Sequence, residues 1–183
     1  MKPVTLTTAR LVLDQPTLND VELVTRYCQD PLFERFVSTP WPYTTDDAVK
    51  FVGSVVPTAW AHDTEYTWAV RVGGVFAGML GFRTRSRGIG FWLGAPHRGH
   101  GYMTEAVGAV LDWVFASSAR DVHWECYLGN ASSVGVARKA GFSFQGEGEA
   151  TVPQRDGRHP LAWKGTISAT DSREPKPGWP ESS

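Results

Sequence analysis

The sequence predicts an α+β domain with a mixed central sheet and flanking helices. Residues 66–72 and 75–82 are apolar-rich runs separated by Gly73-Gly74, the pattern of a β-hairpin with a glycine turn. Ile89-Gly90-Phe91-Trp92-Leu93 reads as a further strand, and after the glycine-rich segment 94–101 the apolar residues Met103, Ala106, Val107, Val110, Leu111 and Val114 recur at helical spacing. A second helical stripe, Ala48, Phe51, Val52, Val55 and Val56, lies upstream of the hairpin.

At 183 residues and 42% hydrophobic content, the chain is long enough to bury about 70% of its unfolded surface without disulfide staples. We assign a single domain to residues 1–167. Its 18 basic and 19 acidic side chains nearly cancel, which argues against a polyphosphate partner such as DNA or RNA but leaves small anionic ligands open. Cys28 and Cys126 are far apart and outside any C-x-x-C pattern, as suits a reducing cytosol. The start, Met1-Lys2-Pro3-Val4-Thr5-Leu6, lacks the apolar core of a secretory signal, and no run has the roughly 18–20 apolar residues of a membrane span. A cytoplasmic protein with no membrane partner is expected.

Leu11-Val12-Leu13 closes an opening strand, and Thr17 with Asp20 resembles a capping box for a first helix whose apolar side is Val21, Val24, Tyr27 and Cys28. Two prolines make residues 38–43 a loop, which carries Trp41 and Tyr43. A second helix starts at residues 44–47 and is expected to end at Pro57. Beyond the third helix, residues 122–128 read as a strand, 132–139 as a short helix, and 142–144 and 161–167 as final strands. From Ser168 onward the chain is polar and carries Pro175, Pro177 and Pro180, so 168–183 is expected to be a disordered tail.

The most informative stretch is Phe91-Trp92-Leu93-Gly94-Ala95-Pro96-His97-Arg98-Gly99-His100-Gly101-Tyr102-Met103-Thr104-Glu105-Ala106. Glycines allow successive N–H groups to line one concavity, and a new helix adds unpaired first-turn donors and the positive end of its dipole, which together make an anion site suited to phosphate. Gly99-x-Gly101-x-x-Thr104 lacks the third glycine of a dinucleotide fingerprint, and no G-x-x-x-x-G-K-[S/T] occurs. His97 and His100 have the spacing of an H-x-x-H metal pair, but no further ligand accompanies them, so no metal is expected.

Arg98-Gly99-His100-Gly101-Tyr102-Met103 resembles the R/Q-x-x-G-x-G/A pyrophosphate loop of the GNAT acetyltransferases. Thr8-Ala9-Arg10-Leu11-Val12-Leu13, Trp41-Pro42-Tyr43 and Asn130-x-x-Ser133-x-x-Val136-x-x-Lys139-x-Gly141-Phe142 are similar to the RimJ/RimL-type branch, which acetylates protein N-terminal amines. The resemblance spans roughly residues 5–167. It implies a GNAT fold in which acetyl-CoA lies in an opening between the strands ending at Leu93 and Leu128, with no metal. Backbone groups of Trp92 and Leu93 would pair with the pantetheine arm. The N–H groups of Arg98, Gly99, His100, Gly101, Tyr102, Met103 and Thr104 would hold the pyrophosphate, and Asn130 would contact the arm. Ser133 stands where the family offers a hydroxyl to the departing thiolate. Family members are often dimers, and a homodimer is compatible with this sequence.

Two positions depart from the pattern. Met103 replaces the usual Gly or Ala. Thr151, Val152 and Pro153 stand where RimL-like enzymes are proposed to keep a glutamate, which leaves Glu125 as the candidate base, with Glu147 and Glu149 behind it. Deprotonating a lysine amine at pH 7 costs roughly 4.6 kcal/mol, against about 1–1.4 for an α-amine, so a weak base favours an N-terminal or other low-pKa acceptor. Phe36, Trp41, Tyr43 and Trp68 are candidates to line the acceptor pocket, with Asp46 or Asp47 attracting the ammonium. Two alternatives stand beside this reading: a non-catalytic acyl-CoA sensor, and a transferase for another donor such as succinyl-CoA, whose carboxylate Arg83, Arg85 and Arg87 could meet.

Overall fold

The computed structural model describes residues 1–117 and 119–180. Among the described residues, eight strands form one sheet in the order β1-β2-β3-β4-β5-β6-β8-β7. They are β1 Leu6–Thr7, β2 Leu11–Asp14, β3 Glu65–Val72, β4 Val75–Arg83, β5 Gly88–Leu93, β6 Asp121–Tyr127, β7 Ser143–Glu149 and β8 Leu161–Ser168. Every neighbouring pair is antiparallel except β5 and β6. The helices are α1 Val21–Cys28, α2 Pro31–Phe36, α3 Thr45–Lys50, α4 Val56–Ala61, α5 Tyr102–Ala116 and α6 Ala131–Lys139. The α+β expectation with a mixed sheet and flanking helices therefore holds. Among the described residues, no helix is long and apolar enough to cross a membrane.

Two cores sit on the two faces. Trp68, Leu80, Val107, Val110, Leu111, Phe142 and Ile167 belong to the first, packed beneath α5 and α6. Val24, Phe33, Ala48, Val52, Phe76 and Met79 belong to the second, beneath α1–α3. The division follows from strand alternation: Trp68 and Val70 of β3 join the first core while Ala69 joins the second. The Thr17 and Asp20 capping box forms as expected, opening a 3-10 turn that runs into α1.

One helix was not anticipated, and two local readings need correction. Residues 31–36 form α2, with Asp30 accepting from the Leu32 N–H as N-cap and Pro31 in the first turn, a start signal that lay in plain sight at Asp30-Pro31. Pro57 does not end its helix. The chain widens into a π-turn over Phe51–Val55, and α4 then carries the proline in its first turn, where a missing N–H is tolerated. The expected disordered tail is, over residues 168–180, packed against the domain. Trp179 lies 5.5 Å from the Trp124 ring and 5.4 Å from Phe144, Arg173 pairs with Asp112 at 2.8 Å, and Lys176 donates to Ser143 Oγ at 3.0 Å. A polar composition was outweighed by one aromatic anchor and two cations that found partners. Residues 181–183 lie outside the described residues.

Trp179→Ala is accordingly expected to lower the free energy of unfolding by about 2 kcal/mol, roughly half the cost of emptying a fully buried aromatic site. Urea denaturation reads the change, and an unchanged midpoint would show that the segment contributes no packing energy.

Candidate active site

β5 and β6 are parallel neighbours only at Gly88↔His123 and Ile89↔Trp124. Beyond that register the two strands part, so β5 from Gly90 to Leu93 remains paired with β4 but has no strand neighbour on its other edge. Backbone polar groups on such an edge need a partner, and a ligand strand or arm is one way to supply it. Trp92 and Leu93 stand on this open edge, as the sequence reading required of groups that pair with a cofactor arm.

At the end of β5 the chain passes through a 3-10 turn, Ala95–His97, into the loop that starts α5. Gly99 and Gly101 hold φ of +81° and +77°, the left-handed region. A Cβ on Gly99 would meet nothing within 4 Å, so backbone conformation rather than space calls for glycine there. Gly101 is the N-cap of α5 and has no capping side chain, which leaves the first-turn N–H groups for another acceptor. His100 and Gly101 are exposed, and Tyr102 and Thr104 are half-buried. Met103 is buried in the first core, so its side chain points into the protein and its bulk does not obstruct the concavity.

Three side chains fix the loop's shape. Arg98 Nε donates to the Leu93 carbonyl at 2.9 Å, and the same guanidinium pairs with Asp30 at 2.8 Å. Arg98 therefore ties the loop to the end of β5 and to the start of α2. Arg10 binds Glu105 Oε2 at 2.6 Å, donates to the His100 carbonyl at 3.1 Å and lies 4.9 Å above the Tyr102 ring. Thr8 Oγ1 donates to Glu105 as well. Burial alone would raise the Glu105 pKa, but these hydrogen bonds more than offset it and hold the carboxyl below the usual range. Arg10 and Glu105 are functional-site supports that sequence reading missed; the Thr8-Ala9-Arg10 segment marked their place without revealing the partner.

Across the gap, β6 leads into α6. Asn130 caps α6, its Oδ1 accepting from the Ser133 N–H at 3.2 Å, which leaves the amide nitrogen of the same side chain to meet a ligand. Ser133 is half-buried, and its Oγ accepts from Trp124 Nε1 at 3.1 Å. The candidate ligand residues thus follow the two parting strands: Trp92 and Leu93 on the open edge of β5, 98–104 in the segment that leads into α5, and Asn130 and Ser133 where β6 leads into α6.

Glu125 does not stand free as a base. Its two carboxylate oxygens accept from the Thr151 N–H at 2.9 and 3.0 Å, one also accepts from the Val152 N–H at 3.0 Å, and Lys164 lies 3.8 Å away. It anchors the β7–β8 connection to β6. The same connection sends Arg155 onto the carbonyls of Phe33 and Glu34, so residues 150–160 reach across to α2. Glu147 accepts from Trp163 Nε1 and Glu149 is exposed on β7.

The acceptor-pocket residues divide. Tyr43 lines a cavity of about 250 Å³ with Val24, Cys28, Thr39, Met79 and Trp92, between α1, the 39–43 loop, α3 and the sheet. Trp41 is half-buried against the same core, and Phe36 lies near Gly129, just before Asn130. Trp68 is corrected: it is fully buried in the opposite core, and its indole N–H donates to the Val4 carbonyl at 2.8 Å. Asp47 is taken up by the Thr44 capping box. His97 Nε2 lies 3.1 Å from the Tyr27 hydroxyl, and burial, then His100, hold its pKa below the usual imidazole range. Among the described residues, no three or more His, Cys, Asp or Glu cluster as metal ligands would.

A family model described as "Acetyltransferase (GNAT) domain" matches residues 10–143. Three solved structures share the fold. RimL, a ribosomal L7/L12 alpha-N-protein acetyltransferase in complex with coenzyme A, is 16% identical with a TM-score of 0.79, the match covering 90% of this chain and 98% of that one. Mycobacterium smegmatis RimJ in complex with CoA-disulfide is 19% identical with a TM-score of 0.79, covering 92% and 90%. The microcin C7 self-immunity acetyltransferase MccE, in complex with acetyl-CoA and AMP, is 19% identical with a TM-score of 0.74, covering 88% and 93%.

Proposed function

The chain belongs to the GNAT acetyltransferase family, and on that premise we propose that it moves an acetyl group from acetyl-CoA to the α-amine of a protein N-terminus. The observation that carries the proposal is the parting of β5 from β6 beside the uncapped, left-handed start of α5. An unpaired strand edge and a set of helix N-terminal donors, one after the other along the chain, suit a long molecule with an amide-bearing arm and a diphosphate.

Acetyl-CoA supplies the activated acyl group. The N–H groups from Arg98 to Thr104 receive the diphosphate, the open edge at Trp92 and Leu93 orients the arm, and Asn130 meets it from the other wall. A backbone N–H on that edge would meet the acyl oxygen as negative charge builds there, a contact worth about 2.7–4 kcal/mol when well aimed. The acceptor amine attacks directly in a ternary complex, so proximity replaces a covalent enzyme step. Ser133 gives a hydrogen bond from its hydroxyl to the departing thiolate, which takes up the proton that the amine nitrogen releases and leaves as the CoA thiol.

Glu125, the candidate base, is committed to the Thr151 and Val152 N–H groups and does not stand ready to deprotonate the amine. That favours an acceptor already partly neutral at pH 7, an α-amine rather than a lysine side chain. The similar RimL structure is named for such chemistry, as an alpha-N-protein acetyltransferase. The same commitment of Glu125 is what favours the second reading, an acyl-CoA sensor without turnover. A succinyl donor loses its support: Arg83 pairs with Glu65, Arg87 pairs with Asp121, and the β4–β5 turn that holds them lies at the opposite end of β5 from the 98–104 loop.

Initial rates at neutral pH on peptides with a free N-terminus, and on N-terminally blocked peptides with a free lysine, test the proposal. We expect the free α-amine to be acetylated at least about tenfold faster, as the difference in neutral fraction requires. Faster turnover of the lysine peptide would refute the acceptor assignment, and acetyl-CoA binding with no thiol release for any amine would favour the sensor.

A further inference from the structure

Trp124 marks the point where the sheet forks. It is the last β6 residue registered with β5, opposite Ile89, and immediately beyond it the two strands separate. Its ring is 3% exposed and lies on the face of β6 that carries α6. There the indole Nε1–H donates to Ser133 Oγ at 3.1 Å. The ring itself has little room to move. Trp179 of the C-terminal segment lies 5.5 Å away on one side, and a Cβ added at Gly165 of β8 would come within 3.3 Å of the Trp124 ring and 3.4 Å of Trp179.

An indole N–H can only donate, so its bond to Ser133 occupies a lone pair of the hydroxyl oxygen and leaves the hydroxyl hydrogen to be given elsewhere. Donation into an oxygen also polarises its O–H and makes it a better donor in turn. The serine backbone is fixed independently, by the Asn130 cap. Burial pushes the pKa of the nearby Cys126 thiol up to about 12, against a hydrogen bond from Ser133 that acts to lower it, and keeps the thiol neutral. We propose that Trp124 is a positioning residue for acyl transfer: from the vertex of the fork it holds Ser133 Oγ and sets the hydroxyl to donate toward the thiolate that leaves between β5 and β6, with Trp179 and Gly165 holding the indole in place. This rests on the acetyl-transfer reading of Ser133 given above.

The test uses the full chain and three activity measurements with acetyl-CoA and an N-terminal peptide. Ser133→Ala alone asks whether the hydroxyl matters. Trp124→Phe removes the N–H and keeps a ring; it is expected to lower kcat by about tenfold, the size of one lost hydrogen bond, with KM for acetyl-CoA changed less than about twofold. The double variant is expected to be no slower than Ser133→Ala, because the indole acts only through the serine. If Trp124→Phe folds poorly, a benzothienylalanine at 124 removes the N–H while preserving the bicyclic shape, and the same kcat loss is expected. A readout independent of turnover is the Trp124 indole N–H resonance, expected to shift when Ser133 becomes Ala.

Wild-type kcat for the N–H-lacking variants on an enzyme that Ser133→Ala impairs would overturn the positioning role while leaving the acetyl-transfer reading intact. Losses that add in the double variant would show a structural role only and overturn it equally. An unimpaired Ser133→Ala would instead remove the leaving-group role of Ser133, and the inference with it.

Discussion

Arg71→Ala is expected to destabilise the fold by about 3–5 kcal/mol, the cost of stripping the partner from a buried ion pair. Arg71, on β3, spends its guanidinium on two carboxylates. Nε donates to Asp14 at 2.8 and 2.9 Å, and the terminal nitrogens donate to Asp20 at 2.7 and 2.9 Å. Asp20 is only 5% exposed and also accepts from the Thr17 N–H at 2.8 Å, so it fastens the start of α1 to the sheet. Burial would raise its pKa, but the Arg71 hydrogen bonds, the Thr17 backbone bond and the Arg71 charge outweigh burial and hold it below the usual carboxylate range. A depressed folded pKa contributes stability that is complete above the unfolded value, about 3.9, and is lost as pH falls through the folded value. In Arg71→Ala the burial penalty is left without its main counterweight, so the Asp20 pKa is expected to move up and the stability linked to its ionisation to be lost. Urea unfolding from about pH 7 to about pH 4 should therefore show the variant's deficit shrinking toward acid. A constant deficit would mean that the loss is one of packing and not of charge.

Gly101→Asp is expected to weaken acetyl-CoA binding by about a hundredfold or more, because it sets a carboxylate at the helix N-terminus assigned to the diphosphate. Strain contributes little to that figure. The position has φ of +77°, which Asp tolerates better than most residues, and the nearest atom to a new Cβ is the Arg10 guanidinium at 3.6 Å, an ordinary contact. Gly101→Ala separates the two effects: it carries the backbone strain of about 1–2 kcal/mol without the charge. Calorimetric titration of the three proteins should place the Ala variant between wild type and Asp. Equal affinities for Gly101→Asp and wild type would move the diphosphate away from this loop.

The features legible in the sequence were those whose cause is local. Gly73-Gly74 between two alternating runs yields the β3–β4 hairpin, both glycines having positive φ, and the Met103-to-Val114 stripe yields α5 with its apolar side buried. The strand, glycine loop and helix proposed to receive the diphosphate are likewise contiguous, so their geometry follows from turn chemistry alone. What stayed hidden depends on partners far along the chain. Arg10 and Glu105 are 95 residues apart, and only the folded sheet brings them together. Glu125 looked like a base because its strand neighbours are known from sequence, whereas the two N–H groups that occupy it come from a loop 26 and 27 residues later. Trp68 and Trp92 are equally apolar, yet one is sealed in the core and the other lines the cavity beside α1 and α3. Alternation predicts opposite faces along a strand but not which face holds a cavity. The C-terminal segment misled for the same reason, since composition weighs a single tryptophan lightly and packing does not.

The most direct test of the central claim, that the 98–104 loop and the β5–β6 opening receive acyl-CoA, is thermal unfolding with acetyl-CoA, desulfo-CoA and NADH at matched concentrations. A ligand at about a hundred times its dissociation constant adds about 2.7 kcal/mol, which for a chain of this size raises Tm by roughly 5–10 °C. The account predicts such a rise with acetyl-CoA, a comparable one with desulfo-CoA, whose diphosphate and arm are intact, and none with NADH. A folded protein whose Tm is unmoved by either CoA compound would contradict the assignment of the loop and, with it, the acyl-transfer mechanism built upon it.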